Sequence, residues 1–366
     1  MRRNTAAPTA VDLFCGAGGL TLGLKQAGFR VVAGVEINED YVKTYKANHP
    51  EVKVFTGDIR EVKGKDVLEA CGLDSLDLIA GCPPCEGFSK LTDKYHREDP
   101  RNDLVFEMAR LVEEIEPRAV MMENVAGLAT RGKSKLDQFI MRLGSLGYVV
   151  NYDVLQLANY GVPQSRRRLV LFAGKGFEIR LPKQTRAYRE DHSKGLKRWM
   201  WLEDFLPNLG RPVTLSKAMR NGGPRKFNWH VVRDVQEATK KRLRAVKPGQ
   251  ARYSLPERLR PKCHADSSYE GFGNVYGRLA WKSTPPTITG GCTTFCKGRF
   301  GHPTQLRTIS VREAALIQTF PRKYKLETDL MDMVCDLVGN AFPPKFAKLA
   351  ARQCLSAIQS QEASAG

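Results

Sequence analysis

Four short stretches carry residue types that do chemistry. In Gly81-Cys82-Pro83-Pro84-Cys85-Glu86-Gly87 two prolines fix the backbone ahead of a thiol, so Cys85 sits on a stiff loop that suits a nucleophile. Cys82 and Cys85 are also spaced as a redox or metal pair, with Cys292 and Cys296 as two further thiols. An interior of two prolines leaves few backbone donors for paired thiolates, and the second pair is spaced Cys-x-x-x-Cys, so the nucleophile is the stronger reading and no metal is expected. Met121-Met122-Glu123-Asn124-Val125 ends an apolar run in a carboxylate, which would donate a proton if it stood near that thiol, and would otherwise bond local backbone. Gln164-Ser165-Arg166-Arg167-Arg168 leads into apolar Leu169 to Ala173; on a strand Arg166 and Arg168 share a face, where two guanidinium groups could converge on one pocket. The fourth stretch is Asp12-Leu13-Phe14-Cys15-Gly16-Ala17-Gly18-Gly19, whose glycines let backbone approach a ligand at a helix start. With Glu36 able to bond ribose hydroxyls it reads as an adenosine-type site, and Asp58 in Gly57-Asp58-Ile59 could accept from an adenine amino group or as easily cap a turn. The run is Gly-x-Gly-Gly and not Gly-x-Gly-x-x-Gly, which fits a pyrophosphate cofactor less well.

Each stretch follows a segment that reads as a strand. Val11 to Phe14, Val31 to Val35, Leu76 to Ala80 and Ala119 to Met122 are short apolar runs, while Leu20 to Ala27, Leu104 to Ile115 and Leu136 to Leu146 have helical spacing. Tyr148 to Leu157 and Leu169 to Ala173 read as closing strands. Alternation of this kind predicts an α/β fold, a doubly wound and mainly parallel sheet of the Rossmann-like type. The rhythm breaks near Gly174 and returns with helices over Val311 to Gln318 and Phe346 to Ile358. We expect a catalytic and cofactor-binding domain over 1–175 plus 320–366, and a smaller, loop-rich basic domain over 176–319.

The chain has 366 residues, 42% of them apolar, enough for two cores. No stretch approaches the roughly 20 uninterrupted apolar residues of a spanning helix, and Met1 to Thr5 runs into a strand-like segment and not a signal-peptide core. Nine irregularly spaced Cys fit reduced thiols in a cytosolic compartment better than a disulfide framework, and a monomer without a membrane is expected. Charge is the sharper clue. Of 58 Lys plus Arg against 39 Asp plus Glu, residues 175–262 hold 23 and 8, a surplus of 15 within about a quarter of the chain. Trp199, Trp201 and Trp229 lie in the same stretch, and basic side chains interleaved with aromatics serve phosphate contact and base stacking. That segment calls for a polyanion.

Taken in order, Phe14-Cys15-Gly16-Ala17-Gly18-Gly19, Glu36, Gly57-Asp58-Ile59, Pro83-Pro84-Cys85, Glu123-Asn124-Val125, Gln164-x-Arg166-x-Arg168, Arg312-Glu313-Ala314-Ala315 with Gln318, and Val338-Gly339-Asn340-Ala341 resemble the DNA (cytosine-5) methyltransferase family. The resemblance covers residues 10–175 and 303–350. It implies transfer of a methyl group to carbon 5 of cytosine in double-stranded DNA, at a short specific sequence and on a flipped-out base. It implies S-adenosyl-L-methionine as donor, held by Phe14, Gly16, Ala17, Gly18, Gly19, Glu36, Ile37, Asp58, Ile59, Pro84, Leu104, Asn340 and Ala341. Cys85 is then the nucleophile and Glu123 the acid on the base, with Arg166 and Arg168 beside them. The basic segment falls where the family keeps its target-recognition region. Glu86 stands where the family usually has Gln, and Cys82 where it commonly has a small residue; an anion beside Cys85 would raise the thiol pKa unless a basic side chain such as Arg166 offsets it. Within the family a tRNA methyltransferase is the rival, and outside it a catalytically silent DNA-binding protein. The large basic segment speaks for DNA, and intact Cys85, Glu123, Arg166 and Arg168 speak for an enzyme, since a binding module needs none of them.

Overall fold

The apolar runs form strands buried on both faces, which is why they read as unbroken and not alternating. In the computed structural model, which describes residues 7–84, 100–261 and 273–364, they become β1 (Thr9–Leu13), β2 (Arg30–Glu36), β4 (Leu78–Gly81) and β5 (Ala119–Val125), and the short, partly exposed β3 (Lys53–Thr56) lies at the sheet edge beside β2. Two longer strands, β6 (Tyr148–Gln156) and β7 (Arg167–Lys175), close a seven-stranded sheet in the order β3-β2-β1-β4-β5-β7-β6. β1 to β5 run parallel, whereas β7 is antiparallel to both β5 and β6. The expected doubly wound sheet is therefore present, and its closing strand is reversed.

Helices α1 (Gly19–Ala27), α2 (Glu39–Asn48), α3 (Gly64–Cys71), α4 (Leu104–Ile115) and α5 (Lys133–Ser145) are the crossovers, and α10 (Pro344–Ser364) returns to the same unit. One sheet face, with Val11, Leu13, Val35, Ile79, Val120, Met122 and Leu171, is buried with Val67 of α3, Met108 and Val112 of α4, and Phe139 and Leu143 of α5. α10 packs on β5 and along α1. Gly23 permits that contact: a Cβ there would lie 2.4 Å from Ala347 Cβ and 2.7 Å from the Lys348 nitrogen. The one-turn core of α3, little more than Val67 and Leu68 behind Gly64, Lys65 and Asp66, is too weak a period to read from sequence.

Two compact units divide the chain: Met1–Tyr160, Arg167–Gln184 and Phe342–Gly366 form the first, Gly161–Arg166 and Thr185–Ala341 the second. The boundary expected at 319/320 thus falls at 341/342, and the six residues around Gln164 join the smaller unit. A polar knot inside that unit gives the reason. Gln164 Nε2 donates to the Ile317 carbonyl (3.2 Å) and Gln318 Oε1 (2.6 Å), its Oε1 accepts from Ile288 N (3.0 Å), and Gln318 Nε2 donates to the Val338 carbonyl (2.7 Å). These bonds bind α8 (Val311–Ile317) and α9 (Met331–Asn340) to the smaller unit. Pro285 to Thr289 makes one isolated bridge, Pro286 with Ser165, and passes so close to α9 that a Cβ on Gly339 would stand 2.1 Å from the Thr289 carbonyl carbon. The smaller unit is loop-rich as expected, though it holds two further helices, α6 (Leu215–Arg220) and α7 (Glu237–Ala245). Trp229, expected on a stacking surface, is 1% exposed and donates its Nε1–H to the Leu326 and Thr328 carbonyls (3.1 Å each), so it is core.

Candidate active site

Parallel strands put all their carboxyl ends on one edge, and the strand order decides who stands beside whom. Along that edge run Asp58 after β3, Glu36 at the end of β2, the Phe14–Gly18 loop after β1, Pro83-Pro84 after β4 and Glu123 near the end of β5. The order reverses between β1 and β4, the switch point at which open α/β sheets leave a crevice for ligands. Of the residues expected around the cofactor, Phe14 to Gly19, Glu36, Ile37, Asp58 and Ile59 lie on one side of it and Pro84 and Leu104 on the other with Glu123, while Asn340, Ala341 and Arg166 belong to the smaller unit.

The glycine loop is held taut. Phe14 (φ 61°), Gly16 (φ 50°) and Gly18 (φ 81°) are left-handed, and a non-glycine residue in that region is strained, which persists only where neighbours enforce it. Glu36 is one enforcer: its Oε2 accepts from Gly16 N and its Oε1 from Asn38 N, both at 2.9 Å, and burial raises its pKa above the ordinary value. Asp12 is the other, accepting from the amide (3.0 Å) and hydroxyl (2.6 Å) of Thr21 in α1, so that strand and helix are tied across the loop. Ala17 is buried, and Gly19 opens α1.

An adenosine moiety fits this edge. Ile37, next after Glu36, is 66% exposed and offers an apolar surface on which a ring could lie. With the Gly16, Asn38 and Ile37 amides bonded, the Glu36 carboxylate keeps acceptor capacity for one hydroxyl. Asp58 caps the turn that follows, accepting from Arg60 N (3.0 Å) and pairing with its guanidinium (3.0 Å), with Ile59 buried behind it. A Cβ on Gly57 would meet nothing within 4 Å, so the space before Asp58 is open.

Across the switch point, Asn124 Nδ2 donates to the Pro83 carbonyl (3.1 Å), fastening the proline loop to the end of β5. Cys85 and Glu86 lie outside the described residues, as do Gly87, Phe88 and Ser89. Pro84 is half-buried, and Leu104, the first residue of α4, is half-buried against the sheet core. Glu123 is buried, and Arg168 Nε stands 2.7 Å from its Oε1, with side chains 16% and 7% exposed for Arg168 and Glu123. The N–H is not aimed at that oxygen, so the two touch as an ion pair without a linear hydrogen bond. Antiparallel pairing explains the meeting. Arg168 lies opposite Val125 in the β5–β7 ladder, which makes Glu123 its diagonal neighbour on the same face.

Arg166 goes elsewhere. It belongs to the smaller unit, is 1% exposed, and donates to the carbonyls of Ile288 (3.0 Å), Gly339 (3.3 Å) and Ala341 (3.4 Å). Its place before β7 and not within it removes the alternation that would have put it on one face with Arg168. Asn340 closes α9 exposed, while the Ala341 carbonyl is pinned by Arg166 and by Gln318 Nε2 (3.2 Å). Two residues escaped the sequence reading: Asn124, as the tie to the proline loop, and Gln164, as the hub of the polar knot. Both sat in stretches already noted, but side-chain amides reveal their partners only in three dimensions. Among the described residues no group of three or more His, Cys, Asp or Glu is placed to hold a metal ion, and no helix is long and apolar enough to cross a membrane.

The sequence profile of the C-5 cytosine-specific DNA methylases matches residues 9–356. The Type II methylase M.HgiDII of Herpetosiphon aurantiacus is 34% identical over 93% of this chain and 93% of its own, and the Type II methyltransferase M1.HphI of Haemophilus parahaemolyticus is 31% identical over 95% and 86%. Among solved structures, a prophage-encoded E. coli protein assigned as a DNA modification methyltransferase superposes with a TM-score of 0.70 at 21% identity, over 96% of this chain and 100% of its own. DNMT2 of Spodoptera frugiperda superposes with a TM-score of 0.60 at 19% identity, over 95% and 100%. These likenesses show the same fold.

Proposed function

The chain belongs to the C-5 cytosine-specific DNA methylase family, and from that premise we propose how its own residues divide the work of methylating carbon 5 of cytosine in DNA. The family uses S-adenosylmethionine; we assign its adenosine part to Glu36, Ile37 and Asp58 and its approach to the Phe14–Gly19 loop, with Pro84 and Leu104 completing the set within the larger unit. When bound, that donor supplies a methyl group made electrophilic by a sulfonium.

Carbon 5 of cytosine is a poor nucleophile. Addition of the Cys85 thiolate to carbon 6 makes an enamine whose carbon 5 can attack, and Cys85 leaves again once the carbon 5 proton has gone to a base or water. Attack would leave negative charge on the ring. Glu123, bonding ring nitrogen 3 and the amino group, draws that charge off, and Arg168 keeps its carboxyl group in place. Arg166 acts at one remove, by fixing the Gly339 and Ala341 carbonyls within the smaller unit. None of this can proceed inside a stacked duplex, so the base must be flipped out at a cost of a few kcal/mol, offset by contacts from the basic unit. The observation that carries this reading is the single row of Asp58, Glu36, glycine loop, Pro83-Pro84 and Glu123 along one sheet edge with the switch point between donor and acceptor sides.

Bisulfite sequencing of plasmid DNA from cells expressing the protein tests it. We expect methylated cytosines within one short sequence and none with Cys85→Ser. A Cys85→Ser protein that still methylates would overturn the mechanism.

A further inference from the structure

The smaller unit holds a turn in which two consecutive non-glycine residues, Asn228 (φ 49°) and Trp229 (φ 54°), are left-handed, as are Gly222 (φ 94°) and Gly223 (φ 89°). Such strain survives only where surroundings over-determine it, and it gathers at ligand clamps. Here the surroundings are plain. Arg225 forms a two-pronged pair with Asp329 (3.1 and 3.0 Å) and reaches Glu327 (3.0 Å). Asn228 donates to the Arg322 carbonyl (3.1 Å), and Arg312 donates to both its carbonyl (2.8 Å) and its Oδ1 (2.5 Å). Trp229 anchors the end of the turn in the core.

Arg225 and Asn228 are thus engaged within the unit, although by residue type they were as good candidates for DNA contact as any. Among the cations that the clamped turn and the end of α6 leave outward are Arg220 and Lys226, both exposed and neither paired with a carboxylate among the described residues. The α6 helix packs against the 224–227 stretch, so the two cations are carried by one rigid piece. On α7, by contrast, Lys240 and Arg244 pair with Glu237.

We propose that the rigid piece from Leu215 to Trp229 grips the target duplex through its phosphate backbone, with Arg220 and Lys226 as the contacting cations and Arg225, Asn228 and Arg312 as the struts that hold them in place. This rests on the reading that the protein methylates DNA, and it names a part of the surface that reaches the substrate. Cations fixed before binding lose less freedom on contact than cations on a mobile loop, which is the use of the strain.

The full chain with Arg220→Ala, Lys226→Ala, Asn228→Gly or Lys241→Ala is titrated with a fluorescent duplex at several salt concentrations, and methyl transfer is measured on the same samples. Arg220→Ala and Lys226→Ala should each weaken binding about fivefold and lower the slope of log affinity against log salt by about one, on any duplex, with kcat unchanged at saturating DNA. Asn228→Gly keeps the left-handed turn and the net charge while deleting both side-chain bonds; weaker binding there shows that rigidity matters. An unchanged salt slope for Arg220→Ala and Lys226→Ala, or an equal loss with Lys241→Ala on α7, overturns the proposal. A wild-type protein that binds DNA without methylating it speaks against the function and not against the grip.

Discussion

Asp12 shows how one side chain joins the loop, the helix and the pH behaviour of the protein. It is fully buried at the end of β1, one oxygen takes both Thr21 bonds, and the other has no hydrogen-bond partner. Burial, foremost, pushes its pKa up to about 7, against about 3.9 in an unfolded chain. Between those values the folded form keeps a proton that the unfolded form has lost. Its contribution to stability is therefore whole below about pH 4 and is lost as pH rises toward 7, by on the order of 4 kcal/mol. Glu36 shifts in the same direction. Asp12→Asn removes the titration and retains an acceptor for Thr21. Thermal melts from pH 5 to 7.5 should show the variant gaining on the wild type as pH rises; parallel curves would count against a buried, titrating Asp12. The motif around Asp12 was legible as a ligand loop, but its proton behaviour was not, because desolvation depends on what α1 lays over it.

At the level of elements, the strands and long helices of the sheet were legible because each is a short apolar run or a helical period, and α4 was read to the residue. The weak helices were not: α7 buries Leu243 and little else, so its sequence looks like a solvated charge run. The reversed direction of β7 was also hidden, since a strand's residues do not encode which way its neighbour runs. The α1–α10 contact gives a test with a decisive sign. Ala in place of Gly within an exposed helix stabilises by about 1 kcal/mol. At Gly23 the added methyl group would strike the α10 backbone, and Gly23→Ala should destabilise by about 1–3 kcal/mol, read as a lower urea midpoint with an unchanged slope. A higher midpoint would mean that α1 and α10 are not in close contact.

For the whole molecule, a formal charge of +19 with most of the surplus in residues 175–262 makes DNA affinity depend on salt. If roughly six phosphates are neutralised, affinity for a duplex of any sequence should fall about 10³-fold between 50 and 200 mM salt, measured by filter binding. Affinity that barely changes would leave the charge serving solubility alone. The amino-acid sequence by itself determined the α/β class, the basic character of the second unit, and the identity of the chemical groups, because these rest on composition, period and short motifs that act locally. Only the tertiary structure decided that Arg168 meets Glu123 while Arg166 joins a knot of carbonyls, that Trp229 is core, and that Arg225 and Asn228 are bonded within the smaller unit. Each of these is a pairing between residues far apart in the chain, and which partner wins is settled by strand order, strand direction and burial, none of which a single stretch of sequence contains.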